Sequence, residues 1–395
     1  MEKSGKNLVS ACEEENFETI RELVLHGADI NFRDALGRTP LLISVQKNNL
    51  TLVKYFIENG ADQSIRDNTM LSPFLCAGAN GFHEILEYLI KNGADVKSTN
   101  RFGGTALLPS SEKGFMRTVE ICIDSGIDVN HVNDLGWSAL QEAVILGDGG
   151  ILYCDIIKAL ADAGALCDQT DNSGISTISY AKRNQQPKAL EILESNPPDE
   201  SSIAFVKKTA RAGNYSEALE YLKEARESVS GELYSYYSGY LLTLLKKYDE
   251  ALEAFSSQKE SNPEFYFYTA NTLRLMKKTN LCLAEYDAGI VKSSRPDFFR
   301  YHKSNYLREM GMHEEAVNQM RILLKNDPRR YDYSFHLANS LRSLGKHEEA
   351  VEAIENAIEN DPRNPLYYLH KAKSFELLDS AENAKMFYKL AEGMR

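Results

Sequence analysis

Gly27-Ala28-Asp29, Gly60-Ala61-Asp62 and Gly93-Ala94-Asp95 follow one another at a constant step, and between the first two lies Gly37-Arg38-Thr39-Pro40-Leu41. Gly126-Ile127-Asp128 keeps the step, and Gly164-Ala165 follows after a longer one. The second anchor recurs as Ser72-Pro73-Phe74, Thr105-Ala106-Leu107, Ser138-Ala139-Leu140 and Ser176-Thr177-Ile178. A fixed period of this length marks a stack of small units, none of which can bury its apolar face alone.

Each unit reads as two helices and a turn. Thr39 and its equivalents suit the N-cap of the first helix, and Pro40 and Pro73 fall just inside it, where a missing N–H costs nothing. Leu52, Val53, Phe56 and Ile57 make the apolar stripe of the second helix, which Gly60 ends in the left-handed conformation. The segment from Ala61 to Arg66, with Asp67-Asn68 at the turn, is expected to leave as a short hairpin.

These residues resemble the ankyrin repeat, over roughly residues 5–195 in about six units. Leu42, Leu75 and Leu108, then Gln141 and Ser179, stand where the family has a His, so its hydrogen bonding between repeats is absent and packing must replace it. Pro109 should shorten or kink the first helix of the fourth unit. The fifth unit carries five extra residues around Gly147-Asp148-Gly149-Gly150, read as a longer loop between its helices. A phosphate-binding reading of that loop is weak, because it follows a helix and lacks a following Lys. The resemblance implies binding of other proteins through hairpin tips and the inner helix face. The tip positions are Leu36, Arg101, Phe102, His131, Leu135 and Trp137. Apolar groups there face either a partner or the neighbouring hairpin, and Trp137 suits the second better.

Asn196-Pro197-Pro198-Asp199-Glu200-Ser201-Ser202 breaks the pattern, since two prolines bar a helix and the polar run suits a short connector. The domains are therefore 1–195, the joint 196–202, and 203–395. After the joint another period takes over. Ala218, Ala251, Cys282, Ala316, Ala350 and Ala384 recur at a nearly constant step, shortest between Ala251 and Cys282. Four positions after each comes a bulky residue: Leu222, Phe255, Tyr286, Met320, Ile354 and Tyr388. The run Gly345-Lys346-His347-Glu348-Glu349-Ala350 through Asn360-Asp361-Pro362 looks like a tetratricopeptide repeat, and about six such units cover residues 200–394. The fold class is thus all-α: a tandem repeat solenoid of ankyrin repeats, helix pairs with short β-hairpins, followed by a tetratricopeptide superhelix.

Three successive units of the second half carry matched triplets: Phe267, Asn271, Arg274; Tyr301, Asn305, Arg308; Phe335, Asn339, Arg342. Spacing of i, i+4, i+7 puts each triplet on one stripe of one helix. Tyr236 and Tyr240 extend the stripe towards the N-terminus. By the resemblance, the stripe lines a groove where the Asn side chains hold the backbone of an extended peptide. An amide donates and accepts at once, which matches such a backbone. The Arg would take acidic groups and the aromatics would flank peptide side chains. A Lys four residues before the first Asn, which some relatives use to clamp an acidic C-terminal tail, is replaced by Phe267, Tyr301 and Phe335. The competing reading is that the Asn bond a neighbouring helix and the Arg form a solvated face. His302 and His336, one step off the stripe, suit packing between helices.

Net charge is −12 over 395 residues. Residues 1–198 hold 17 Lys+Arg against 27 Asp+Glu, −10, and residues 199–395 hold 28 against 30, −2. That balance argues against nucleic-acid binding. No apolar run approaches the length of a membrane span, the charged N-terminal residues do not suit a signal peptide, and six scattered Cys suit a reduced, cytoplasmic chain with mostly buried thiols. No Cys/His grouping has metal-ligand spacing and no nucleophile–base pair stands out, so neither catalytic residue, metal nor cofactor is expected. The sequence reads as a protein–protein interaction scaffold, not an enzyme: a peptide or partner tail in the second-half groove and a second protein on the first half. A peptide-responsive sensor that relays binding to an effector is the alternative within binding, and an enzyme using the 147–150 loop the alternative outside it.

Overall fold

Short side chains start the helices of the first half, and the geometry shows how. Thr39 accepts from Leu42 N at 3.2 Å with Pro40 next in line, and Ser72 accepts from Leu75 N at 3.2 Å ahead of Pro73. Ser138 and Gln141 form a reciprocal capping box. Thr105 departs from this: its helix starts two residues later, behind Ala106, and its buried hydroxyl has no hydrogen-bond partner.

The computed structural model describes residues 2–199, 203–328, 330–360, 362 and 365–394; Glu200, Ser201 and Ser202 of the joint and Asp361 lie outside these. The chain divides into two compact units. One comprises Met1–Gly147 with Leu152–Asn196, the other Asp148–Ile151 with Pro197–Arg395.

The first half of the chain forms six helix pairs. They are α1 and α2 (Glu2–Glu13, Phe17–Leu25), α3 and α4 (Pro40–Gln46, Leu50–Glu58), α5 and α6 (Pro73–Asn80, His83–Lys91), α7 and α8 (Leu107–Glu112, Met116–Asp124), α9 and α10 (Ala139–Leu146, Ile151–Asp162), and α11 and α12 (Thr177–Arg183, Pro187–Ser195). Pro109 is the third residue of α7, which has six residues where α3, α5, α9 and α11 have seven or eight. Leu42, Leu75 and Leu108 are buried, as packing in place of the family His requires. Polar links between repeats come from other side chains: Ser110 Oγ donates to Gly78 O at 3.0 Å and Gln141 Nε2 to Gln169 O at 3.2 Å.

The hairpins are short turns with almost no strand, each closed across its base by backbone, as Asp34 N to Arg38 O at 3.0 Å and Asp67 N to Leu71 O at 3.0 Å. Among the described residues only two isolated bridges occur, Val132 with Ser138 and Thr170 with Ser176. Side chains reinforce these backbone bonds. Asp34 Oδ1 accepts from Leu36 N at 2.9 Å and Arg38 N at 2.8 Å. Asp67, Asn100, Asn133 and Asp171 repeat the arrangement, each accepting from the amides two and four residues on. Neighbouring tips then join through backbone, Asn68 N to Leu36 O at 2.9 Å and Asp134 N to Phe102 O at 3.0 Å. The third residue after each of these Asp/Asn takes a positive φ. It is Gly at 37, 103, 136 and 174, and Met70, at φ 65°, in the remaining turn.

Beyond the joint come α13 and α14 (Ala204–Arg211, Tyr215–Glu224), α15 and α16 (Gly231–Leu244, Tyr248–Ser256), α17 and α18 (Glu264–Leu275, Thr279–Lys292), α19 and α20 (Pro296–Glu309, His313–Asn326), α21 and α22 (Tyr331–Ser343, His347–Asn360), and α23 and α24 (Pro365–Leu377, Ala381–Glu392). All six small-residue sites from Ala218 to Ala384 are buried, and Leu222, Phe255, Tyr286, Met320 and Ile354 are buried beside them. Paired helices approach closely at Gly239 in α15, where an added Cβ would lie 2.3 Å from the Phe255 ring of α16. Helix propensity favours Gly→Ala by about 0.5–1 kcal/mol. Overpacking opposes it, so Gly239→Ala should instead destabilise the second unit by about 1–3 kcal/mol, read as a lower denaturation midpoint. A raised midpoint would show that the close contact does not matter.

Candidate protein-binding site

The stripe on α17, α19 and α21 divides by depth. Phe267, Tyr301 and Phe335 are 1%, 2% and 4% exposed, so they cannot flank a ligand, which corrects the sequence reading. Their rings fill the space between successive first helices. Phe267 lies 4.9 Å from Phe298 and 4.8 Å from His302 between centroids, Tyr301 5.9 Å from both Tyr333 and His336, and Phe335 4.6 Å from His370. Tyr236 is likewise buried, 4.9 Å from Tyr268, while Tyr240 is half-buried and stacked on it at 6.2 Å. The physical reason is volume: first helices stand too far apart for backbone contact, and a large ring with a His opposite fills the gap.

The polar members lie nearer the surface and join across helices. Arg308 donates to Asn305 Oδ1 on its own helix and, from Nη1 at 2.7 Å, to His336 Nδ1 on the next. Arg342 repeats this with Asn339 Oδ1 and His370 Nδ1, and reaches His370 O at 3.0 Å and Ser374 Oγ at 3.3 Å. Arg274 stands 4.0 Å from Glu309. Asn305 is buried and Asn271 and Asn339 are half-buried. A guanidinium only donates, so the atom facing Arg342 must be the oxygen of Asn339. Its amide nitrogen is then left buried with no hydrogen-bond partner. His336, His370 and Ser374 belong to this arrangement and were not singled out for it from the sequence. The signal was there: His302, His336 and His370 recur at the step of the repeat itself.

On the ankyrin-like tips, Leu36 is 59% exposed and the Arg101 guanidinium lies 4.7 Å from the centre of the half-buried Phe102 ring. Leu135 is half-buried. Trp137 is buried, its Nε1 donating to Asp171 Oδ2 of the neighbouring turn at 3.2 Å. His131 Nε2 lies 2.6 Å from Gly103 O.

Groups that could support chemistry are otherwise engaged. In the 147–150 loop the Gly150 N–H donates to Asp148 Oδ1 at 2.9 Å and the following Ile151 N–H to Glu264 Oε2 at 3.4 Å, so carboxylates occupy the amides a phosphate would need. Arg295 donates to Asp148 O. Burial pushes the Cys12, Cys122 and Cys282 thiols up to about 12, far from a reactive thiolate. Glu142 is buried in α9, with Oε1 accepting from Asn133 Nδ2 at 2.9 Å and Oε2 without a hydrogen-bond partner. Burial, and then the Glu112 carboxylate, raise its carboxyl well above the usual range.

A raised folded-state value means the folded chain holds a proton that the unfolded chain releases, so stability falls as pH rises through that value. Glu142→Gln should therefore stabilise the chain at pH 7 by about 1–3 kcal/mol, with the gain vanishing towards pH 4. Denaturation of both proteins across that range checks this, and an equal gain at every pH would count against it.

Comparison with known proteins fits this geometry. The family model for ankyrin repeats, in three copies, matches residues 8–100 and 74–171, and that for the tetratricopeptide repeat matches 209–264 and 301–384. The chain belongs to the ankyrin-repeat proteins and carries tetratricopeptide repeats in its second half. An ankyrin repeat domain from Acinetobacter baumannii is 40% identical, with 47% of this chain and 95% of that one covered, at a TM-score of 0.46. The ankyrin repeat protein EF0377 is 35% identical over 48% and 98%, at 0.47. A chain from the complex of a predatory endopeptidase of Bdellovibrio bacteriovorus with an immunity protein is 23% identical over 49% and 98%, at 0.43. Among curated proteins none matches. Both repeat families are protein–protein interaction modules, typically without catalysis. Among the described residues no helix is long and apolar enough to cross a membrane.

Proposed function

We propose that the chain is an adaptor that holds an extended peptide or partner tail on the Asn/Arg stripe of its second unit and a second protein on its ankyrin tips. The observation that carries this is the pair Asn271 and Asn339. Asn271 is half-buried, and no side-chain hydrogen bond engages its amide among the described residues. Asn339 keeps a buried amide nitrogen without a partner. A buried donor left unmade costs about 1–3 kcal/mol, which a peptide carbonyl would recover on binding. Asn305, with its oxygen tied to Arg308, serves the fold more than the ligand. The aromatics support the groove from beneath, and the exposed Leu36 supplies the anchor on the ankyrin side, with the half-buried Phe102 beside Arg101.

The test uses extended peptides selected by display on the full chain. Asn271→Ala with Asn339→Ala should weaken the selected peptides by at least about tenfold, the worth of one good hydrogen bond. Asn271→Ala alone should leave the thermal midpoint unchanged, whereas Asn305→Ala should lower it by about 1 kcal/mol in stability. Selected peptides that bind the double variant as tightly as the parent would refute the groove. Leu36→Ser should leave those peptides unaffected, as expected of a separate surface.

A further inference from the structure

We propose that the groove between α20 and α22, floored by α21, docks a basic amphipathic helix of a partner protein. The groove encloses about 310 Å³. Leu337 and Leu341 of α21 form its floor, with Leu324 of α20 and Ala353 of α22 as walls. The Arg321–Glu349 ion pair bridges the two second helices at one end, and Ser334 Oγ donates to Asn356 Oδ1 at 2.7 Å at the other. The span from Glu349 to Asn356 is about 10 Å at the rise of a helix. That length admits two apolar side chains one turn apart, as a helix presents them at i and i+4. On α21 the floor residues lie about a third of a turn from Phe335, Asn339 and Arg342. This groove is therefore separate from the Asn/Arg stripe and stands whether or not that stripe holds a peptide.

Charge selects the occupant. α22 carries Glu348, Glu349, Glu352, Glu355 and Glu359 and neither Lys nor Arg. Two of these are matched within the fold, Glu349 by Arg321 and Glu355 by Lys371. Glu348, Glu352 and Glu359 are exposed, and no side chain among the described residues pairs with them. Their spacing sets them, with Glu355, along one edge of α22, and Glu352 also lines the groove.

This edge works against its own helix. Glu348 with Glu352, and Glu355 with Glu359, are like charges four residues apart, and Glu359 stands in the last turn, where the helix dipole disfavours a carboxylate. The repeat does not require them, since the equivalent positions of α20 hold Glu314, Asn318, Arg321 and Lys325. A row of cations from outside relieves the repulsion while the apolar side chains beside it fill the groove. A helix advances about 5.4 Å per turn, which is the step of the Glu row, so Lys or Arg at i, i+4 and i+7 of a partner helix meet that row in register. On the opposite rim the exposed Lys325, one turn beyond Arg321, repels the basic edge and so sets which way round the partner lies.

The test follows the fluorescence anisotropy of two labelled helical peptides on the full chain. One has leucines at i and i+4 with lysines along the adjoining edge, and the other has glutamates in place of the lysines. The lysine peptide should bind at least about tenfold more tightly. Glu348→Gln, Glu352→Gln and Glu359→Gln together should remove about tenfold of that affinity, and Ala353→Phe, which fills the groove, at least as much. Glu14→Gln, Glu18→Gln and Glu191→Gln together, which remove the same charge from exposed sites of the first unit, should change it by less than about twofold. An equal loss in both triple variants, or full affinity in Ala353→Phe, would overturn the docking groove in favour of a general attraction to an acidic chain. Should Ala353→Phe fail to fold, the two triple variants, altered only at exposed side chains, decide the matter. Self-association that Ala353→Phe abolishes, with neither peptide bound, would overturn the basic helix and give the groove to a second copy of the chain.

Discussion

A helix pair in a stack has no core of its own, and the close approach of its two helices is the constraint on which the rest depends. In the second unit that approach is made at Ala218, Ala251, Cys282, Ala316, Ala350 and Ala384, all buried, with a buried bulky residue one turn on beside the first five and the half-buried Tyr388 beside the last. Because paired helices sit so close, successive first helices are left further apart. Large rings must bridge that gap, and Phe267, Tyr301 and Phe335 do so with a histidine opposite each. The aromatic members of the stripe are thus fixed by a spacing that the small residues set elsewhere.

The polar members follow from the same geometry. Beside the rings a guanidinium ties one helix to the next. Its own Asn holds it in place, and the neighbour's imidazole receives it. Half of the amide at Asn339 is used this way, and the other half has no partner. One residue therefore serves both readings weighed for it, as a brace for the fold and as a donor for a ligand. In the first unit the comparable device is the Asp or Asn whose side chain reinforces the backbone bonds that close each turn.

Much was legible because repeats write the same local physics several times. The caps at Thr39 and Ser72, the short α7 behind Pro109 and the inward turn of Trp137 each depend on neighbours within one or two units, and local chemistry names them. The misses came where a residue answers to a distant helix. The spacing i, i+4, i+7 groups Phe267 with Asn271 and Arg274 on one stripe, but a stripe has depth, and only the helix alongside decides which member sinks. The turn at Asp34-Ala35-Leu36-Gly37 carried a readable signal too, an Asp or Asn three residues ahead of a left-handed position.

By itself the sequence determined the two periods, the helix pairs and the family of each half, because close packing and tight turns demand particular residue types at particular steps. Tertiary structure alone decided the pairing of Arg308 with His336 and of Arg342 with His370, and with it which amide nitrogen is left over. The reason is physical. Periodicity records what each unit requires of itself, whereas a hydrogen bond between units depends on the rotation and offset of one helix against the next, which no single repeat encodes.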